Sequence, residues 1–276
     1  MQNLSDKFTV LMAVYFKDDE ALFERAIQSV LSNSLLPAEF ILICDGPLTP
    51  GLDVIVSHYG SSGLLRVLRS ERNLGLAGAL NYALDHIKTQ YVIRADADDF
   101  NYPGRFKSLV TKLECGFDVV GSAIREIDSA GMPLALRKPP LSEDEIRRFA
   151  RWRSPFNHMT VAFRTDAVRR VGGYPEIYLR EDYSLWAKLL ARGARVCNLP
   201  DVLVDASAGN AMLKRRGGVK YALGEIELQK LLVSSNLSTP FFALLATSIR
   251  CTIFLLPVTW RGFIYTRFLR HRVRDI

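Results

Sequence analysis

Apolar positions along the first 120 residues follow two rhythms. Short continuous runs at 8–15, 40–44, 64–68 and 91–95 are bounded by turn residues, the pattern of strands covered on both faces. Between them, at 19–34, 52–59, 76–87 and 106–115, apolar residues recur at helical steps. In the first of these segments they are Leu22, Ala26, Ile27, Val30 and Leu31, with charges opposite. Strand and helix thus alternate, which predicts an α/β fold of repeated βα units: a mostly parallel, Rossmann-like central sheet with helices on both faces. The rhythm loosens after residue 120. Strands are predicted at 118–127, 159–164 and 195–204, and helices at 142–152, 165–171 and 182–191. Ser142 and Glu145 form a capping-box pattern, and Gly172, Gly173 and Gly193 stop helices. From 217 onward the pattern is helical. The expected organisation is a body over 1–216, in halves of about 1–120 and 121–216, and a helical tail over 217–276.

Composition changes this picture mainly at the tail. Of 276 residues, 49% are hydrophobic and 24% charged, the balance of a folded globular chain. The net charge is +7, but residues 240–276 hold six arginines against one aspartate, so +5 of it lies there. A nearly neutral body excludes a nucleic-acid footprint spread over the protein. Cys44, Cys115, Cys197 and Cys251 are far apart with no CxxC pair, which points to reduced thiols and not to a disulfide framework or a zinc site. A polar start without an apolar signal segment predicts a cytoplasmic chain.

Candidate chemistry gathers at the ends of the predicted strands. The run YVIRADADDF at 91–100 ends an apolar strand in three carboxylates, Asp96, Asp98 and Asp99. In open α/β sheets that edge is where ligands bind. Clustered like charges repel unless a cation joins them, and a hard divalent ion shared with substrate phosphates suits carboxylate oxygens. A solvated acidic turn is the plain alternative. Tyr15 ends the first strand, and Asp45 ends the second ahead of Gly46-Pro47. Asn73-Leu74-Gly75 opens the helix after the third strand, and Glu181-Asp182 opens a later helix inside YLREDYSLW at 178–186. Each also has a structural reading: a core tyrosine, a turn-capping Asp45, an Asn-x-Gly turn, and Asp182 as a helix N-cap.

In order and spacing these five features resemble family-2 glycosyltransferases of the GT-A fold, especially bacterial enzymes of O-antigen and capsule assembly, over roughly residues 7–216. Asn157-His158-Met159-Thr160 and Arg215-Arg216-Gly217-Gly218 are similar to the same subgroup. The resemblance implies a GT-A catalytic domain over 1–216, with a nucleotide-sugar half to about 120 and an acceptor half beyond it. It implies that Tyr15 stacks on the donor base, that Asp45 accepts from the pyrimidine N–H, and that Asn73 and Gly75 line the nucleotide pocket. Asp96 would contact the ribose or the metal, and Asp98 would bind Mg²⁺ or Mn²⁺ bridging the diphosphate, with Asp99 a supporting or capping group. Asp182 would be the general base and Glu181 its neighbour. Arg215 and Arg216 would cover the diphosphate, a solvated basic turn being the equal alternative. His158 would reach the acceptor or the metal, against a purely structural histidine. Arg94 and Arg105 flank the acidic loop and would offset its charge.

The activity so implied is inverting, metal-dependent and non-processive. One sugar would move from a nucleotide-sugar, by default a UDP-sugar with thymidine kept open, to a lipid-linked oligosaccharide. The acceptor implied is an undecaprenyl-diphosphate-linked glycan at the cytoplasmic membrane leaflet. Two departures stand out. Ala13-Val14-Tyr15-Phe16 replaces a Pro-Thr-Tyr-Asn-like run, which alters the uracil pocket, and the Gln-x-x-Arg-Trp signature of processive synthases is missing. In the tail, the apolar pieces 240–249 and 251–258 are interrupted by Arg250, Pro257 and Arg261 and are too short to span a membrane. Aromatic and basic residues alternate over 260–270, which suits a helix lying on an anionic leaflet, or one packed back on the body with its arginines exposed. Competing readings are a nucleotidyltransferase, which would want a Gly-rich basic loop after the first strand, and a catalytically silent scaffold that binds nucleotide-sugar. No RNA-binding motif accompanies the basic tail.

Overall fold

The computed structural model describes residues 4–207, 217–257 and Trp260. In its first half β1 (Phe8–Val14), α1 (Glu20–Leu31), β2 (Glu39–Cys44), α2 (Pro50–Ser61), β3 (Arg66–Arg69), α3 (Gly75–His86), β4 (Tyr91–Asp96), a two-residue β5 (Phe100–Asn101) and α4 (Arg105–Glu114) follow the predicted alternation. Then come β6 (Val119–Ile127), β7 (Pro133–Arg137), α5 (Glu143–Phe149), β8 (Ala162–Arg164), α6 (Thr165–Arg170), α7 (Glu181–Ala191) and β9 (Val196–Ser207). Two helices follow, α8 (Val219–Ser234) and α9 (Pro240–Leu255).

One nine-stranded sheet runs β3-β2-β1-β4-β8-β6-β9-β5, with β7 on β6. The first four strands pair in parallel, as do β6 and β9, while β8 joins the halves by antiparallel pairing to β4 and β6. The order reverses between β1 and β4, which opens a crevice at their C-terminal ends. Period-two alternation along β1 explains the layers. Phe8, Val10, Met12 and Val14 face a core with Phe23 and Ile27 of α1, Leu52 of α2 and Phe106 and Leu109 of α4. Leu11 faces the opposite core with Leu80 of α3, Val168 of α6 and Leu185 and Trp186 of α7. Each of these large apolar side chains, fully buried, stabilises by roughly 1.5–3 kcal/mol.

Differences from the sequence reading have local causes. The predicted strand at 159–164 shortens to three residues, because His158–Thr160 forms a 3₁₀ turn. The β5 and β7 strands are too short or too exposed to show a period. Arg250 does not break the last apolar stretch: α9 runs through it and turns its guanidinium onto a buried acid of α8. The predicted capping box of α5 is present, Ser142 Oγ accepting from Glu145 N–H and Glu145 reaching back to Ser142 N–H.

Candidate active site

Register brings three strand ends level at the crevice. Ala13 of β1 pairs with Asp96 of β4, and Val14 with Cys44 of β2, so Tyr15, Asp45 and the turn after Asp96 leave the sheet side by side. Tyr15 is half-buried, its ring edge-on to Phe16 at 5.7 Å, and its N–H donates to Asp18 Oδ2 at 2.9 Å. Asp45 does not simply close its own turn. Its Oδ1 accepts the Leu74 N–H at 2.6 Å and so serves the opening of α3, which has no side-chain cap of its own. Asn73 holds the same junction, its Nδ2 donating to the Asp45 carbonyl at 3.2 Å and its Oδ1 accepting from Gly75 N–H at 3.2 Å. Gly46 makes the approach possible: at φ +83°, a Cβ there would stand 2.7 Å from Asn73 N. Burial pushes the Asp45 carboxyl up, and the Leu74 and Gly75 amides pull it back.

The acidic turn is tightly built. Carboxylate oxygens of Asp96, Asp98 and Asp99 lie within 4.8 Å of one another. Arg94 Nη2 pairs with Asp96 Oδ1 at 2.7 Å. Ser207, the last residue of β9, clamps the turn from outside: its N–H donates to Asp99 Oδ1 at 2.9 Å and its hydroxyl to the Asp98 carbonyl at 2.5 Å. Asp99 is 3% exposed, and its Oδ2 is buried with no hydrogen-bond partner. Burial first, then the Asp98 and Asp96 charges, push its carboxyl well above the usual carboxylate range, while Ser207 N–H and Arg105 oppose. Hard oxygen donors this close, one of them buried and unpartnered, fit a divalent cation.

Behind the turn lie two buried arginines that the sequence places only as flanking charges. Arg94 is 2% and Arg105 0% exposed. Arg105 Nη2 donates to the carbonyls of Arg94 and Met159 at 2.5 and 2.7 Å, and Nη1 to Asn101 Oδ1. Burial pulls its guanidinium down to about 9, with Asp99 and Asp96 opposing.

The second carboxylate pair stands at the first turn of α7. The helix begins at Glu181 with Arg180 in the cap position and no side-chain cap bond, so Asp182 is not its N-cap. The Asp182 Oδ2 accepts from Ser154 Oγ at 3.4 Å. Burial first, then adjacent Asp182, push Glu181 up to about 7, against the Arg180 charge and the nearby backbone amides. Just ahead, Leu179 sits at φ +52°, a conformation that costs a side-chain-bearing residue of order 1–3 kcal/mol.

His158 and Tyr174 lie within electrostatic reach of both acidic groups. The His158 Nε2 lies 3.1 Å from Tyr174 OH, and its ring packs edge-on to Tyr174 and Trp186. Burial and Arg94 push His158 down, and Asp182 and Asp96 both act against that, so the imidazole lies within electrostatic reach of both groups. Tyr174, pushed up by burial, feels the same two aspartates and Glu181. Asn81 of α3 holds the Tyr174 backbone by bonds of 2.8 Å to its N–H and its carbonyl. Arg215 and Arg216 lie outside the described residues. Ser207, Tyr174 and Ser154 escape sequence reading, since none stands in a motif, and Arg180, inside the 178–186 motif, carries no signal of its role there; only the Val-Asp-Ala-Ser end of β9, continuing its alternation past 204, hints at Ser207.

Known proteins resemble the chain in sequence and in fold. The sequence model of glycosyl transferase family 2 matches residues 9–177, well over half of the chain. The chain belongs to this family. It is similar to the UDP-Gal:alpha-D-GlcNAc-diphosphoundecaprenol beta-1,3-galactosyltransferase of Escherichia coli, 37% identical over 98% of this chain and 99% of that one. The amylovoran biosynthesis glycosyltransferase AmsE of Erwinia amylovora is 34% identical, over 94% and 98%. Among solved structures, S. aureus TarS 1–349 in complex with UDP-GlcNAc superposes with a TM-score of 0.66 at 19% identity, covering 96% of this chain and 76% of that one. The mannosyltransferase PcManGT from Pyrobaculum calidifontis, in complex with GDP-Man and Mn²⁺, gives 0.62 at 18%, over 94% and 79%. The fold is GT-A-like, and the family-2 member is a glycosyltransferase. Among the described residues no helix is long and apolar enough to cross a membrane.

Proposed function

We propose that this family-2 glycosyltransferase is inverting, metal-dependent and non-processive, and moves one sugar from a UDP-sugar to a glycan on a polyprenyl diphosphate at the cytoplasmic membrane face. The observation that carries the reading is the convergence of two carboxylate groups. Asp96, Asp98 and Asp99 stand on the sheet edge, Glu181 and Asp182 on α7, and Asp96 and Asp182 both act on His158 and Tyr174. The first group suits a cation-bridged diphosphate, the second a hydroxyl about to lose its proton. The name of the Escherichia coli relative supports a UDP-sugar and a diphosphoundecaprenol-linked acceptor.

On this reading residues 1–216 are the catalytic domain. Tyr15 stacks on the donor base, Asp45, Asn73 and Gly75 shape the nucleotide pocket, and Arg215 and Arg216 cover the diphosphate. The acceptor hydroxyl oxygen bonds to the anomeric carbon on the face opposite the diphosphate. The bond from that carbon to the diphosphate oxygen breaks, and the leaving group keeps the electron pair. Asp182 takes the hydroxyl proton, a role worth typically ~10²–10⁴-fold. One such displacement inverts the anomeric centre. Asp96 and Asp98 would hold Mg²⁺ or Mn²⁺, which stabilises charge on the departing diphosphate. Glu181, titrating near 7, can both donate to and accept from an acceptor hydroxyl at neutral pH.

Membrane contact is supported by an apolar face on α9. Phe241 of α9 is 71% exposed, Leu244 and Ile249 of the same helix are also exposed, and Phe242 packs edge-on to exposed Trp152 at 5.5 Å. Trp152 borders a groove with Leu141, Phe149, Lys138 and Arg148, and with Glu145, whose carboxylate is engaged in the α5 capping box. Apolar area rimmed by basic residues suits an anionic leaflet.

Calorimetric titration of UDP with and without Mn²⁺, on wild type and Asp98→Ala, tests the site. Mn²⁺ should strengthen UDP binding to the wild type and do nothing for a folded Asp98→Ala. Equal Mn²⁺ dependence in both would remove the metal assignment. Product formation from a UDP-sugar panel and a polyprenyl-diphosphate acceptor separates the transferase from a silent scaffold.

A further inference from the structure

The turn ahead of Glu181 is held by the C-terminal helices. Gly224 of α8 lies against it so closely that a Cβ would stand 2.8 Å from the Tyr178 carbonyl. The next residue, Glu225, is 0% exposed. Its Oε2 lies 2.8 Å from Arg180 Nη2, and its Oε1 accepts from Arg250 Nη1 of α9 at 2.7 Å and from Gln229 Nε2 at 2.8 Å. Arg180 also donates to Tyr221 OH at 2.8 Å, with its guanidinium 4.2 Å from the Tyr221 ring centroid and 5.5 Å from that of Phe254. Arg180 is the cap residue of α7, and Glu181 and Asp182 follow it directly.

Locally the turn is closed by a single backbone bond, Arg180 N–H to the Ile177 carbonyl at 2.9 Å. The helix has no side-chain cap, and Leu179 is held at φ +52°, so the conformation depends on its tertiary clamp. A fully buried carboxylate between two arginines is a poor choice for adhesion alone, since apolar residues of similar volume often stabilise as well or better. Its directional hold on one guanidinium is what an apolar pair lacks.

We propose that Glu225 is a positioning residue: through Arg180 it fixes the turn before α7 and thereby the place of the Glu181 and Asp182 carboxylates. This rests on the role given above to that pair. The C-terminal helices are then part of the transfer site. A misplacement of 1 Å far from the chemistry can cost ~10²-fold in rate.

Steady-state transfer kinetics and UDP calorimetry on wild type, Glu225→Gln, Glu225→Asp, Gly224→Ala and Asp182→Asn test it. Glu225→Gln should lower kcat by about 10-fold or more, with the donor KM and UDP affinity within about 2-fold of wild type. Glu225→Asp, which keeps the charge, should recover part of that loss. Gly224→Ala should give the same split without touching any charge, because its Cβ pushes the Tyr178 carbonyl; if Glu225→Gln fails to fold, this variant carries the test. Normal kcat in the folded variants, or a kcat loss matched by lost donor affinity, overturns the proposal. Asp182→Asn keeps the two readings apart: if it transfers normally, the role of the pair fails, whereas a dead Asp182→Asn beside a normal Glu225→Gln sinks only the positioning.

Discussion

Replacing Glu181 by glutamine should stabilise the protein in alkaline solution and much less in acid. The Glu181 carboxyl titrates at about 7 in the folded chain against 4.5 ordinarily, because burial and Asp182 disfavour its charge. A gap of about 2.5, at about 1.4 kcal/mol for each tenfold, makes ionised Glu181 cost the fold about 3 kcal/mol, a ceiling that solvent at the half-open site lowers. The sign follows from proton counts. Below 4.5 both states hold the proton and there is no cost. Between 4.5 and 7 the unfolded chain releases it while the folded chain keeps it, so stability falls as pH rises. Above 7 both are ionised and the full cost is reached. Glutamine never ionises, so Glu181→Gln should gain about 1 kcal/mol at pH 5 and about 3 kcal/mol at pH 8.5. Urea unfolding of both proteins at the two pH values measures this. An equal gain at both, or a more stable wild type at pH 8.5, would show that Glu181 is not a buried carboxyl in repulsion with Asp182.

Asp182→Asn should keep UDP affinity and lose at least ~10²-fold in turnover, because an amide cannot take the hydroxyl proton. Since Asp182 does not cap α7, lost capping cannot explain the loss; near-normal transfer would place the base elsewhere. The double change Phe241→Glu with Leu244→Glu, at side chains 71% and 68% exposed, should leave folding and UDP binding intact and weaken flotation with anionic vesicles at low salt. A wild-type protein that ignores such vesicles would refute the membrane face.

The parallel half of the fold was legible because its signals are local and mutually consistent. Four apolar runs at strand length, separated by helical periods, can form little else, and the capping box at Ser142 marks a boundary by itself. The strand-end residues could also be placed, since any residue after a buried parallel strand faces the crevice. Contacts between distant segments could not be read. Asp45 serves the opening of α3 across 29 positions, and Ser207 clamps Asp99 across 108. The partner of Arg250 is likewise invisible in sequence: an arginine in an apolar stretch reads as a break, and only the structure supplies the buried glutamate that admits it.

Those long-range contacts share a logic. Arg94 and Arg105 back the first carboxylate group, and Arg180 stands beside the second. Arg94 and Arg180 lie within the two acidic motifs and Arg105 just after the first, and Arg94 and Arg105 are almost wholly buried. Burying an ion costs several kcal/mol even after relaxation, so a fold built for stability alone would place apolar groups there. Yet each wall still lacks positive charge. Burial and neighbouring charges push Asp99 well above the usual carboxylate range and Glu181 to about 7, so each wall resists carrying its full negative charge. Under the proposed reaction both shortages are met in turn. A cation-bound diphosphate would supply charge to the Asp96 group, and the acceptor hydroxyl would give its proton to the second wall, where the Asp182 charge raises the proton affinity of Glu181. The same repulsion that costs the empty fold stability therefore favours the site once donor and acceptor are in place.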